Sequence, residues 1–517
     1  MFVGTFWALV PPIVAIVLAL ITKETYSSLF VGILVGAILL ACQVGDPVST
    51  LDWIVSGEYL PEGAEEAVEV GLIPALSGSA GIFLFLVILG MMVALINAAG
   101  SSAAFGQWAA KHVKSRAGAM LATFFLGVLL FVDDYFNCLT VGAVMRPVTD
   151  GHKISRAKLS YIIDATAAPI CMIAPVSSWA AAVSDTASSL DTGVSGIQLF
   201  ISAIPFNFYS LLTILFVVAI SLLGFDYGPM AKSELAAYRD GELGSLGSEE
   251  VVTQERANLI DMFLPVIVLI VTCVIGMMYV GGFWDPESGF EGDLIGAFGN
   301  TDASIALPWG SIIALVFTFI YFMARRVVKF TEAANSFVEG FRAMVPAMLI
   351  LMFALALKSI TSALGAAEFV GGMMEGAAWM YSFLPAIVFL VALLLAFATG
   401  TSWGTFGILI PIVVAVFPAD STLLVIGISA CLAGAVCGDH ISPISDTTVM
   451  ASAGANVNHI EHVNTQIPYA LTVAAISFVC FLIAGFIQSW PICLGIGAVL
   501  IMGALLALRR TIGKVVE

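Results

Sequence analysis

Apolar residues run along this 517-residue chain in long stretches of two kinds. Stretches near 4–22, 27–45, 79–99, 198–224, 259–281, 307–324, 343–364, 467–488 and 490–508 are unbroken. Each supplies the roughly 20 apolar residues of helix that cross a hydrocarbon core about 30 Å thick. Four others, 118–145, 158–190, 383–418 and 421–455, are punctuated by Asp, Ser, Thr, Asn, Pro and Gly. A helix in lipid satisfies its own backbone, so a break survives only where protein, water or a bound ion replaces the lost hydrogen bonds. The pattern predicts an all-α polytopic membrane protein with ordinary spans around four interrupted ones. The first apolar stretch lacks a basic n-region, its first cation being Lys23, and reads as a retained span rather than a signal peptide.

Lys and Arg in short loops mark the cytoplasmic side. Lys111, Lys114 and Arg116 precede 118–145, while Arg146, Lys153, Arg156 and Lys158 follow it. Both clusters belong on one side, so 118–145 enters and leaves there as a re-entrant hairpin with Asp133-Asp134-Tyr135-Phe136-Asn137 at its tip. The same reasoning makes 383–418 a hairpin entering from outside, with Thr401-Ser402-Trp403 near its tip. Lys232, Arg239 and Arg256 then fall in a central loop, Arg325, Arg326, Lys329 and Arg342 in the next inside loop, and Arg509, Arg510 and Lys514 at the tail. Of the 19 cations only Lys358 escapes this partition, falling inside a span. The outside segments 46–72, 282–306, 365–382 and 419–421 hold acids and no Lys or Arg. The expected topology has the N-terminus outside and the C-terminus in the cytoplasm.

Composition agrees. The chain is 60% hydrophobic and 11% charged, with a mean hydropathy of +1.04, against about 25% charged residues in soluble proteins. A net charge of −17 offers no basic surface for nucleic acid. The eight cysteines lie in apolar runs without a Cys-x-x-Cys pair and read as packing residues.

The interrupted stretches repeat. An offset of 268 (445 − 177) aligns Asp133-Asp134-Tyr135 with Thr401-Ser402-Trp403, and Ala174-Pro175-Val176-Ser177-Ser178 with Ser442-Pro443-Ile444-Ser445-Asp446. The halves run in opposite directions, which predicts inverted-topology repeats, each with a re-entrant hairpin and a broken helix. The expected division is 1–225 for the first repeat, 226–257 for a cytoplasmic linker, 258–488 for the second repeat, and 489–517 for an extra helix and tail.

Carboxylates locate the chemistry. Asp133, Asp134, Asp164, Asp185, Asp439 and Asp446 fall in the interrupted stretches. Each charge near the membrane centre costs about 2.5–3.5 kcal/mol, which a bound Na⁺ or a proton would offset. Oxygens from Asn137, Ser177, Ser178, Thr401, Ser402, Ser442, Ser445, Thr447 and Thr448 suit a hard cation. Blander readings stand beside these. Asp133 and Asp134 could cap the second hairpin arm. His440 could be a core histidine bonded to a carboxylate or a proton-transfer group. Asp164 and Asp185 are as readily paired with Ser or Thr, or placed at the interface, as they are ligands; Lys358 is a snorkelling or charge-paired residue, or a substitute cation facing a carboxylate site. Tyr135, Trp179 and Trp403 pack around the tips or shape a pocket. His459-x-x-His462 reads as a pair of solvated loop residues rather than a transition-metal site.

The run Cys437-Gly438-Asp439-His440-Ile441-Ser442-Pro443-Ile444-Ser445-Asp446-Thr447-Thr448, with Gly400-Thr401-Ser402-Trp403-Gly404-Thr405 upstream, closely resembles the NhaC-type Na⁺/H⁺ antiporter family within the ion transporter superfamily. Phe131-Val132-Asp133-Asp134-Tyr135-Phe136-Asn137, Met145-Arg146-Pro147 and Ser155-Arg156-Ala157-Lys158 resemble it too, so the likeness covers nearly the whole chain. The resemblance implies a bacterial or archaeal inner-membrane transporter with scaffold and transport parts, a homodimer as the assembly, and an elevator motion. It also spans relatives that move malate, lactate or amino acids.

Two functions follow. In the first, Asp133, Asp134 and Asp446 exchange protons for Na⁺ while the Ser and Thr oxygens complete the shell, with Asn137, Asp439 and His440 as further cation- or proton-binding candidates. In the second, Na⁺ or H⁺ drives a small organic acid or amino acid into a pocket lined by Tyr135, Trp179 and Trp403, its carboxylate received by half-helix N-termini. No cofactor is expected beyond Na⁺. A channel or a membrane enzyme lacks support: there is no repeated filter, phosphate loop or nucleophile with an oriented base.

Overall fold

A computed structural model describes residues 2–512 apart from 23, 61–66, 102–110, 132–133, 189–194, 245–257, 259, 367–368, 370–377, 419–420 and 444. The described chain is helical except for an antiparallel pair of three-residue strands, β1 (Gly57–Tyr59) and β2 (Val68–Val70). Such short strands carry too little alternation to register in the sequence. Nine helices among the described residues are long and apolar enough to cross a membrane.

The first half comprises α1 (Val10–Thr22), α2 (Thr25–Val44), α3 (Thr50–Val55), α4 (Leu72–Gly78), α5 (Ala80–Ala98), α6 (Arg116–Leu129), α7 (Asp134–Gly151), α8 (Arg156–Thr166), α9 (Ala168–Cys171), α10 (Ser178–Ser188), α11 (Gly196–Ala203) and α12 (Phe208–Leu223). After α13 (Gly228–Arg239) come α14 (Ile260–Val280), α15 (Leu294–Gly299), α16 (Ala303–Arg325), α17 (Phe330–Ala363), α18 (Leu384–Thr399), α19 (Ser402–Val416), α20 (Thr422–Ile441), α21 (Asp446–Ala455), α22 (His459–Ile487) and α23 (Trp490–Ile512).

All four interrupted stretches break. Between α6 and α7 the helix stops ahead of Asp134, and between α9 and α10 it stops around Pro175. Gly400 ends α18 at φ 68°, a conformation favouring glycine, and Thr401 caps α19. Ser442-Pro443 ends α20, since proline lacks the donor a continuing helix needs. The arms α6, α18 and α19 have 14, 16 and 15 residues. At about 1.5 Å per residue none covers a core of roughly 30 Å alone.

Three expectations need correction. Arg342 lies within the 34-residue α17 rather than in a loop. His459 and His462 belong to the 29-residue α22, and His462 is buried rather than solvated. Asn458 caps α22, its Oδ1 accepting from the backbone N–H groups of Ile460 (3.0 Å) and Glu461 (3.2 Å), so the helix starts before its apolar part. The central loop also contains α13, whose buried Glu234 pairs with Arg116 and accepts from the Ser155 N–H at 2.7 Å.

Glycines let the helices meet at backbone distance, as packing in lipid favours. A Cβ on Gly434 or Gly438 of α20 would lie 2.3 Å from the Phe389 carbonyl or 2.1 Å from that of Leu393, both on α18. A Cβ on Gly142 of α7 would lie 2.3 Å from the backbone of Gly454 on α21. Next to Gly454, the Ala455 carbonyl accepts from Arg156 Nη1 (2.6 Å), and the same arginine grips Asp150 of α7 through Nε (2.7 Å) and Nη2 (2.6 Å).

Candidate functional site

The close approach of α18 and α20 brings the second hairpin tip to the last turn of α20. Ser402 Oγ there lies 2.9 Å from Asp439 Oδ2 and 3.2 Å from the Ala435 carbonyl. From beyond the break, Thr447 Oγ1 donates to the same Asp439 oxygen at 3.2 Å and lies 2.9 Å from Ser445 Oγ. Ser445 caps α21, accepting from the Thr448 N–H at 3.3 Å. Thr448 Oγ1 donates to the Ser442 carbonyl (2.9 Å), and Ser442 Oγ donates to the Phe397 carbonyl of α18 (2.7 Å). Asp439, Ser402, Ser442, Ser445, Thr447 and Thr448 are all buried. One carboxylate ringed by hydroxyl oxygens is the donor set of a hard cation. The same oxygens can carry a proton instead, because burial disfavours the free anion.

The first hairpin meets this centre where α7 packs on α21. Asp134 is buried and opens α7; Asp133 and the side chains of Tyr135 and Asp446 lie outside the described residues. The Asn137 amide Nδ2 lies 2.6 Å from the Gly127 carbonyl and 3.1 Å from that of Thr166, closing the ends of α6 and α8 together. Its Oδ1 is buried with no acceptor role filled among the described residues. Cys171 Sγ, at the first break, donates to the Phe131 carbonyl at 2.9 Å. Cys138 Sγ on α7 reaches the Thr447 carbonyl at 3.7 Å.

The first break is knitted to itself. Ser177 Oγ lies 2.8 Å from the Cys171 carbonyl and 3.0 Å from that of Ala174, and accepts from the Ala180 N–H at 3.1 Å. Ser178 opens α10 and is buried. Trp179 of α10 meets Trp403 of α19 edge to face at 5.9 Å, with Phe406 completing the cluster. Both indole Nε1 atoms are buried without an acceptor among the described residues. Thr401 stays with its own helix, its Oγ1 accepting from the Gly404 N–H at 3.4 Å.

His440 turns to Tyr209, its Nδ1 lying 2.8 Å from the hydroxyl, rather than to a carboxylate. It stacks on Tyr161 at 6.1 Å. Lys358 is buried and donates to the Thr186 carbonyl of α10 at 3.4 Å. Sequence reasoning missed Asp164 as part of a buried cluster with His462 and Gln466. The available signal was the i, i+4 spacing of His462 and Gln466, which puts both on one helical face.

The Na⁺/H⁺ antiporter family model matches residues 170–486. An uncharacterized protein of Haemophilus influenzae is 36% identical over 94% of this chain and 92% of its own. The malate-2H⁺/Na⁺-lactate antiporter of Bacillus subtilis is 29% identical over 31% of this chain and 34% of its own. Among solved structures, the YdaH transporter of Alcanivorax borkumensis superposes with a TM-score of 0.47 at 14% identity, over 87% of this chain and 98% of its own, a likeness too slight to carry an argument. The family match covers both the first break and the whole second hairpin and break, and with it the chain belongs to the Na⁺/H⁺ antiporter family: it is a multi-pass membrane protein and a secondary transporter.

Proposed function

We propose that this transporter exchanges Na⁺ for H⁺ at Asp439. The observation that carries the reading is the buried Asp439 carboxylate, met by Ser402 from the hairpin and Thr447 from beyond the break. An uncompensated charge at this depth costs about 2.5–3.5 kcal/mol, so the carboxylate holds either a proton or a cation, one displacing the other. Asp133, Asp134 and Asp446 are further acids of the same exchange, and Asn137, Ser445 and Thr448 add oxygen donors. Inverted repeats moving as an elevator, an inner-membrane location with the C-terminus in the cytoplasm, and a homodimer belong to this reading. The partition of Lys and Arg and the matching Ser177 and Ser445 caps support the topology.

The test uses purified protein in proteoliposomes with a trapped pH dye and no organic solute. A Na⁺ gradient should move the internal pH, and Asp439→Asn and Asp446→Asn should each remove that response while folded protein stays in the membrane. A fully active Asp439→Asn variant would remove this carboxylate from the mechanism.

The two buried indole N–H groups favour a second reading, in which a small organic carboxylate is the cargo and Na⁺ or H⁺ drives it. The name of the Bacillus relative points the same way. Silence with Na⁺ alone, relieved by adding a carboxylate or an amino acid, would establish that reading over simple exchange.

A further inference from the structure

Asp164 sits in the last turn of α8, and His462 and Gln466 occupy successive turns of α22. His462 Nε2 lies 3.2 Å from Asp164 Oδ2, and Gln466 Nε2 lies 2.9 Å from the same oxygen. Relative exposures are 1%, 0% and 0% for Asp164, His462 and Gln466, so water does not screen the group. Gln466 Nε2 also donates to the carbonyl of His440, the residue after Asp439, at 2.5 Å.

We propose that the Asp164–His462 pair is a proton-binding site of its own, set beside the Asp439 oxygens and linked to them through Gln466 and the His440 carbonyl. The inference rests on the antiport reading for the ion that Asp439 exchanges. With Nε2 committed as donor to Asp164, the imidazole keeps its lone pair on Nδ1, which has no partner among the described residues. A proton taken at Nδ1 makes an imidazolium against a carboxylate, a pair of zero net charge; released, it leaves the pair at minus one. Such a pair alternates between the same two net charges as a lone carboxylate, with the proton carried on the imidazole. The link is mechanical as well as electrostatic. Protonating the imidazole strengthens its hold on the Asp164 oxygen that the Gln466 amide shares, and the same amide holds the end of α20 where the second break begins.

The groups facing the pair leave this role open to it. Tyr161 on α8 and Tyr209 on α12 flank His440, and Cys437 shares α20 with it. Lys158 on α8 is matched by Asp226, which also accepts from Tyr469 of α22. On neighbouring elements, Glu234 of α13 is paired with Arg116 and Asp150 of α7 with Arg156. His459, at the start of α22, is bonded to Ser452 Oγ (3.2 Å) and the Pro443 carbonyl (2.7 Å).

A purely structural pin between α8 and α22 would lower stability without moving a titration. Full-length protein in proteoliposomes is therefore assayed for Na⁺-driven proton flux from about pH 6 to about pH 9, with His462→Gln, Asp164→Asn and Asp439→Asn. His462→Gln keeps a donor toward Asp164 but cannot titrate. It should shift or flatten the acidic limb of the profile by about one pH unit while leaving the KM for Na⁺ within about twofold. Proton uptake by purified protein without Na⁺, after a pH jump, should fall by one proton in the same variant. Profiles and uptake identical to wild type in both His462→Gln and Asp164→Asn would overturn the proposal. Should His462→Gln fail to fold, Asp164→Asn, which preserves shape, gives the same readings. Absence of Na⁺-driven flux in wild type as in Asp439→Asn would instead defeat the antiport reading, and the proton uptake would still judge the pair.

Discussion

In the first broken helix the chain leaves its helical path from Met172 to Ser177, and in the second from Ser442 to Ser445. Each break has a proline and ends on a serine that caps the next arm, Ser177 accepting from Ala180 and Ser445 from Thr448. At the common offset of 268 residues (445 − 177), however, Cys171 stands against Asp439 and Trp179 against Thr447. The first break is neutral and satisfies its own carbonyls through Ser177; the second carries a carboxylate and draws hydroxyls from two elements. One backbone device thus carries two chemistries. Making a gap in a membrane helix is a matter of proline and a cap, whereas the charge beside the gap depends on which side chain sits one turn before it.

The largest effect expected from this contrast is at the carboxylate. Asp439→Asn should cut Na⁺-driven flux in proteoliposomes by at least about 100-fold, a loss of about 2.7 kcal/mol or more in transition-state terms. Cys171→Ser, at the equivalent position, should stay within about twofold. A similar loss in both would mean the breaks share the work. Ser402→Ala removes one hydroxyl from Asp439 and should raise the KM for Na⁺ about tenfold, since hydrogen bonds to charged groups contribute roughly 1.5–3 kcal/mol. The caps should behave alike despite the chemical difference. Ser177→Ala and Ser445→Ala should each destabilise by about 1 kcal/mol, read as a lower melting temperature in detergent. Smallest of all, Trp403→Phe deletes an indole N–H and keeps the ring, and should change Na⁺ exchange by less than about twofold. A large loss there would shift weight to an organic cargo.

The positions of all four breaks were legible in the sequence because Asp134, Pro175, Gly400 and Pro443 interrupt apolar runs, and lipid penalises such residues wherever the backbone stays regular. The ends of α17 and α22 were not. Hydropathy reports which part of a helix lies in lipid, whereas helicity continued through capped polar turns at Phe330 and His459. The nearness of Asp439 and Ser402 was legible in part, since each stands beside a break, and the structure brings them within 2.9 Å. The Asp164–His462 pair was not, since its members are 298 residues apart and only the packing of α8 on α22 joins them. For His440 the sequence leaves a carboxylate-bonded core histidine and a proton-transfer group both open; in the fold its neighbour Asp439 faces the break while its own ring faces Tyr209.

The glycine contact between α7 and α21 has a kinematic consequence. With Gly142 and Gly454 touching backbone to backbone, an axial slip of one residue, about 1.5 Å, would drive a Cβ into the opposing chain. Arg156, gripping Asp150 of α7 and the Ala455 carbonyl next to Gly454, ties the same pair beside that contact. The arm that begins at Asp134 and the arm that follows the second break are thereby keyed together, one from each half of the chain. Displacing either arm therefore displaces the other, so the two halves of the chain are coupled at this seam.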